Sequence, residues 1–159
     1  MLCFFLLGQN LFKMSEQEIL EGNTLIAEFE GLPFVPYKWN RSIDKKFNTY
    51  KECQKYIEKN KLEGFIPELR WNQKSGQYDH NFQQLMRAVE KITKTKYDDG
   101  DNAYLRTFGM LNKDGNVMVR INRCPLFEAP TLIEATWLAV VDWCRTAYLR
   151  LGDVAEHKS

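Results

Sequence analysis

Histidine is scarce in this chain. There are two in 159 residues, His80 and His157, and the second sits in a polar tail. A hydrolytic triad would have one base to draw on, and a zinc site would need scattered ligands. His80 itself falls in the first turn of a helical pattern, where a capping or solvent-facing role accounts for it. The four cysteines, at 3, 53, 124 and 144, form no C-x-x-C pair and read as free thiols of a reducing cytoplasm. Phosphate-cradling loops of the G-x-x-x-x-G-K-[ST] and G-x-G-x-x-G types do not occur. Apolar runs long enough to span a membrane are missing, as are repeats and low-complexity stretches. Charge of neither sign dominates: 22 basic residues against 21 acidic leave a net +1, which excludes a polyanion-binding surface over the whole chain and leaves room for a local one. These absences read as a non-enzymatic chain with no catalytic residue, no metal site and no cofactor.

What the chain has is material for a core. Its apolar content of 44% and aromatic content of 13%, over a length suited to one domain, argue against disorder. The longest helical pattern is TLIEATWLAVVDWCRTAYLRL at 131–151. Ile133, Trp137, Val140, Cys144, Ala147, Tyr148 and Leu151 follow one stripe, widened by Leu138 and Trp143. Thr131 and Glu134 form a capping box, and Gly152 is placed to end the helix. So apolar a helix must be covered by a sheet or by other helices.

The N-terminal run at 2–7 is apolar but lacks a basic flank and a cleavage site, so it is neither a signal peptide nor a membrane span. Met14 then opens MSEQE, where Ser15 and Glu18 make a second capping box. We read residues 1–13 as an upstream extension outside the fold and Met14 as the start. An apolar arm packing on a neighbour or a membrane surface is the other reading.

From Met14 onward the pattern gives a helix at 16–30, weakened at Gly22 by about 1 kcal/mol relative to alanine and closed by Gly31. LPFVPYKWN follows as an extended connection; Pro36 argues against a central strand there. Residues 38–61 hold eight of the basic residues but three of the acidic ones. Thr49 and Glu52 form a third capping box that opens a short helix to about Asn60, with Tyr50, Cys53, Tyr56 and Ile57 on its apolar side. Its charge reads first as a solvated face with Glu–Lys pairing and second as a nucleic-acid surface. Trp39 and Trp71 read as packing this insert onto the body, with a binding surface as the alternative.

Asp79 is placed to cap an amphipathic helix at 81–92, in which Phe82, Leu85, Met86, Val89 and Ile92 follow helical spacing. Asp98, Asp99 and Asp101 lack the spacing of a calcium loop and read as a polar turn. The clearest strands, 103–111 and 116–123, flank an N-K-D-G loop. A four-residue loop sets Phe108 opposite Val119, Met110 opposite Val117 and Arg106 opposite Ile121; a bulge shifts this by one. Residues 125–127 add a short strand, and DVAEHKS is a frayed tail.

Three segments in order, GNTLIAEFEG at 22–31, NFQQLMRAVEKI at 81–92 and IEATWLAVVDW at 133–143, resemble those of a family of small proteins from tailed phages and prophage-like elements, chiefly in Bacteroidetes, described as a phage αβα-sandwich domain. The family segments read N-x-L-I-A-E-F-x-G, W-x-x-L-M-x-x-V-E-K-I and I-E-A-x-x-x-A-V-V-x-F/W. The matched pieces cover about a fifth of the chain and bracket residues 14–151. The chain departs from the pattern in its lead-in, Tyr78 to Phe82, and in the basic 38–61 segment. The resemblance implies a sheet carrying helices on its faces and a mobile-element origin; it carries over no catalytic residue.

Together these observations read as an α/β (α+β) fold. A small antiparallel sheet is built on the 103–123 hairpin and sandwiched by helices at about 16–30, 81–92 and 132–151. One domain covers 14–152, with a basic insert at about 38–72 and a tail at 153–159. The expected function is that of a phage accessory protein in the bacterial cytoplasm, binding a host protein or small ligand as a possible homo-oligomer, with no membrane role. Arg106 and Arg120 are its candidate binding residues, because charge on otherwise apolar strands must be paired, exposed or bound. The alternative is a nucleic-acid-binding protein using Lys45, Lys46, Lys51, Lys55 and Lys59, with Trp39, Tyr50 and Tyr56 interleaved.

Overall fold

A computed structural model describes residues 14–39, 41–69, 77–95, 105–108, 115–121 and 124–157, for the backbone alone at 105–108 and from 147 onward. The acidic loop at 98–101, Trp71 and residues 1–13 lie outside this set. The chain is a mixed α/β fold. In order it forms α1 (Glu16–Glu30), β1 (Phe34–Lys38), β2 (Arg41–Ser42), α2 (Tyr50–Lys59), β3 (Ile66–Leu69), α3 (Phe82–Thr93), β4 (Leu105–Phe108), β5 (Val117–Ile121), β6 (Phe127–Ala129) and α4 (Leu132–His157). The described strands make two antiparallel sheets rather than one, ordered β2-β1-β3 and β4-β5-β6.

The helix starts follow local chemistry. Ser15 closes a full capping box with Glu18, and Gly31 ends α1 in the left-handed region at φ 76°. Thr49 and Thr131 accept from the backbone N–H of Glu52 and Glu134, but the glutamates do not return the bond. Asn81, not Asp79, caps α3, accepting from Gln84 N at 3.1 Å. At the far end α4 continues past Gly152 to His157. A glycine weakens a helix but ends it only by turning left-handed, and no proline follows to force that.

The long helix is the middle layer. α4 lies against β5 and β6, and also against α1 and α3, which make little or no contact with that sheet. This explains why Ala135, Thr136, Trp137, Ala139, Val140, Val141, Trp143 and Cys144 are all buried: a helix covered on two sides is apolar around most of its girth. Ile26, Leu85, Ile92, Val119 and Ile121 complete the core, each burial contributing roughly 1.5–3 kcal/mol. Phe29 meets the Trp143 indole edge-on at 5.0 Å between centroids.

Residues 34–69 build a lobe in which α2 packs on β1 and β3. It joins the body through Glu28, which accepts the Tyr50 N–H at 2.9 Å and so serves the first turn of α2. Phe34 packs edge-on against Tyr50 at 5.9 Å.

The expectation that Pro36 bars a central strand is overturned, because β1 is central. The ladder explains it. Pro36 stands opposite Pro67 of β3, flanked by the pairs Val35–Glu68 and Tyr37–Ile66. Along an antiparallel strand hydrogen-bonded and non-bonded pairs alternate. Phe34 and Phe47 exchange both bonds at 2.8 Å, and Ile43 N donates to the Pro36 carbonyl at 3.0 Å, so the polar groups of residues 34 and 36 point away from β3. No N–H is wanted from either proline between β1 and β3. Towards β2, the Ile43 carbonyl that would have received a Pro36 N–H accepts Lys45 N instead, at 2.8 Å.

Candidate binding surfaces

The charged side of the 34–69 lobe is assembled from two segments. The β1–β2 hairpin pairs Lys38 with Arg41, leaving a two-residue loop that begins with Trp39. The chain then runs back along β1 through Lys45 and Lys46 and enters α2, where Lys51, Lys55 and Lys59 recur at four-residue spacing on one exposed stripe. Glu52 and Glu58 flank this stripe, but the expected Glu–Lys pairing does not form. The ion pairs among the described residues, His80–Asp79 and Lys94–Glu90, lie elsewhere. Lys46, Lys51, Lys55 and Lys59 are exposed without a polar partner among the described residues.

Two cations of the segment are held. Lys45 Nζ sits 4.4 Å from the Tyr56 ring centroid and 5.8 Å from that of Phe47, which bridges the turn to α2. Lys38 Nζ donates to the Glu63 carbonyl at 2.9 Å and lies 5.9 Å from the Phe65 centroid. Trp39 overturns the packing expectation: it is 84% exposed, with φ at 52°.

Sheet β4-β5-β6 offers the second surface. Its register differs by one residue from the four-residue-loop expectation: Leu105 pairs with Ile121, Arg106 with Arg120, Thr107 with Val119 and Phe108 with Met118. This is the one-residue shift allowed for above, and Gly115 stands in the left-handed region at φ 78°. The two candidate arginines therefore oppose one another instead of Arg106 facing Ile121. Val119 and Ile121 are buried beneath α4, while Arg120, on the other face, is exposed.

The residues considered for covalent chemistry include two buried thiols, Cys53 and Cys144, and an exposed histidine, His80. Burial pushes the thiols up, Cys53 to about 11 and Cys144 to about 12, so neither is a thiolate near neutrality. His80 pairs with Asp79, Nδ1 to Oδ2 at 3.1 Å, on an exposed turn. No group of three His, Cys, Asp or Glu among the described residues is placed to hold a metal ion. Nor is any helix among them long and apolar enough to cross a membrane.

Polar residues of the three ordered segments instead knit helices together. Asn23 accepts from Trp137 Nε1 at 2.8 Å and donates to Asp79 Oδ1 at 2.8 Å. The Tyr78 hydroxyl donates to Glu30, and Lys91 donates to the Phe29 carbonyl while lying 4.9 Å from the Phe29 ring. Burial, and then the bond to Glu30, push the Tyr78 hydroxyl far above its ordinary range. Sequence reading gave Asn23, Glu30 and Lys91 no polar role, since each is a polar side chain in an ordinary amphipathic pattern; Asp79 reads there as a cap and Trp137 as core. No family model, no curated protein and no solved structure matches the chain.

Proposed function

We propose that the chain is a non-enzymatic binding module that holds nucleic acid on the lobe of residues 34–69. The observation that carries this reading is the set Lys46, Lys51, Lys55 and Lys59, exposed and without polar partners among the described residues, along a segment poor in acids. Lysines engaged by neighbouring glutamates would have little to gain from phosphates; unpaired ones release counterions on binding. The buried, protonated Cys53 and Cys144 and the exposed His80, which pairs with Asp79, support a binding role over a hydrolytic one. The resemblance of the three ordered segments to the phage αβα-sandwich family supports an accessory role in a mobile element, within the bacterial cytoplasm.

The test is fluorescence anisotropy with labelled single- and double-stranded DNA and RNA. Affinity is expected to fall steeply between 50 and 200 mM salt, on the order of tenfold or more per few phosphate contacts. Lys51→Glu, Lys55→Glu and Lys59→Glu together are expected to abolish it. No binding to any of these at low salt sinks the reading.

A second reading rests on a different observation, the opposed pair Arg106 and Arg120. Two like charges at directly opposed positions favour an anion between them. The partner would be a carboxylate- or phosphate-bearing small ligand or an acidic segment of a host protein. Native mass spectrometry reads any retained ligand together with any homo-oligomer. A bare species that also captures no acidic partner after Arg106→Glu and Arg120→Glu comparison with wild type removes this reading.

A further inference from the structure

We infer that Trp39 is a base-stacking residue and that the nucleic acid held by the lobe is single-stranded. The inference rests on the nucleic-acid reading above and names its ligand class. Trp39 opens the two-residue β1–β2 loop in the left-handed region, with φ 52°. Asparagine, aspartate or glycine supplies positive φ there with little strain, whereas a bulky side chain in that region is a steric outlier. The strain is not repaid by packing. The indole is 84% exposed and makes no hydrogen bond, ion pair or ring contact among the described residues. Among the described residues, the most exposed large apolar side chain thus stands at a position whose backbone disfavours it. Strain kept at an exposed tip points to a ligand.

The surroundings say which ligand. A protein hot spot of this kind is ringed by contacts that exclude water. The exposed residues following Trp39 are Arg41, Ser42, Asp44, Lys45 and Lys46, a solvated stretch with three cations to one acid that leads to the lysine stripe of α2. Lys45, seated over Tyr56, ties the two segments together, so cations run from the indole to the helix. One open π face beside a track of cations suits a strand with an unstacked base and a charged backbone. In a duplex the bases are stacked and paired, and Trp39 would have no free face to meet.

The experiment compares full-length wild type, Trp39→Asn and Trp39→Phe, binding a labelled oligo-dT strand and a duplex of the same length. Trp39→Asn, whose residue suits the turn, is expected to keep or raise the melting temperature and to lose about tenfold or more in affinity for the single strand. The salt slope should stay unchanged, because the phosphate contacts remain. Trp39→Phe should restore most of the affinity. A wild type that binds the strand as tightly as Trp39→Asn does overturns the stacking role and leaves the basic-lobe reading intact. Preference for the duplex overturns it as well. Wild type binding no nucleic acid defeats both. Binding of Trp39-dependent type to vesicles of anionic lipid, with none to oligo-dT, assigns the tip to a membrane surface and overturns the inference.

Discussion

A Cβ placed on Gly22 would lie 2.3 Å from Cζ2 of Trp137 and 2.6 Å from its Cη2. The middle of α1 and the second turn of α4 approach so closely that the indole occupies the space a side chain would need. Trp137 is 2% exposed and anchored by its bond to Asn23, the next residue along α1, so it cannot swing aside without losing a buried hydrogen bond.

Gly22→Ala therefore tests this contact against helix propensity. Propensity alone predicts stabilisation by about 1 kcal/mol. The overpacked indole predicts destabilisation by about 1–3 kcal/mol. We expect the second to win, giving a lower urea midpoint at unchanged slope, with part of the loss recovered in the Gly22→Ala, Trp137→Leu double variant. A stabilised single variant would show that the helices separate freely.

The same contact shows what the sequence made legible. Periodicity located α1 and its Ser15 and Gly31 ends, because caps are local chemistry. It marked Gly22 as a weak point, because the reason for that glycine is a residue more than a hundred positions away. Pro36 was misjudged on similar grounds: a proline is excluded from a central strand only where the ladder wants its N–H, and pair alternation and the diverted Ile43 carbonyl are not visible in one dimension. Trp39 looked like packing because most tryptophans are buried. That it stands at a turn follows from Lys38 pairing with Arg41, which a stretch of lysines and polar residues does not announce.

The buried thiols give the protein an alkaline limit. Cys53 is held at about 11 and Cys144 at about 12, against an ordinary value of 9.0. Well below pH 9 both thiols are protonated, folded or not, and their contribution is fully present. Above it the unfolded chain loses protons that the folded chain retains, so stability falls as pH rises towards the folded values, by at most about 1.4 kcal/mol per pH unit for each thiol. Urea midpoints are expected to drop between pH 8.5 and 10.5, and Cys144→Ala to flatten that slope. In native protein at pH 8, mass mapping after alkylation should leave Cys53 and Cys144 unmodified. A slope identical in Cys144→Ala would mean that this thiol does not carry the effect.

The register of β4 and β5 makes a prediction that does not depend on any ligand. Arg106 directly opposes Arg120, and like charges at such positions destabilise an antiparallel pair by roughly 0.2–1 kcal/mol, while opposite charges stabilise it by a similar amount. Arg120→Glu should therefore raise stability by up to about 1 kcal/mol at low salt, as should Arg106→Glu. The double reversal restores like charge and should return close to wild type. A double-mutant cycle then yields a coupling energy that shrinks as salt is added. In the alternative register Arg106 faces Ile121, and the two substitutions would simply add. A cycle with no coupling would thus displace the register by one residue and, with it, the juxtaposition on which an anion site between these arginines depends.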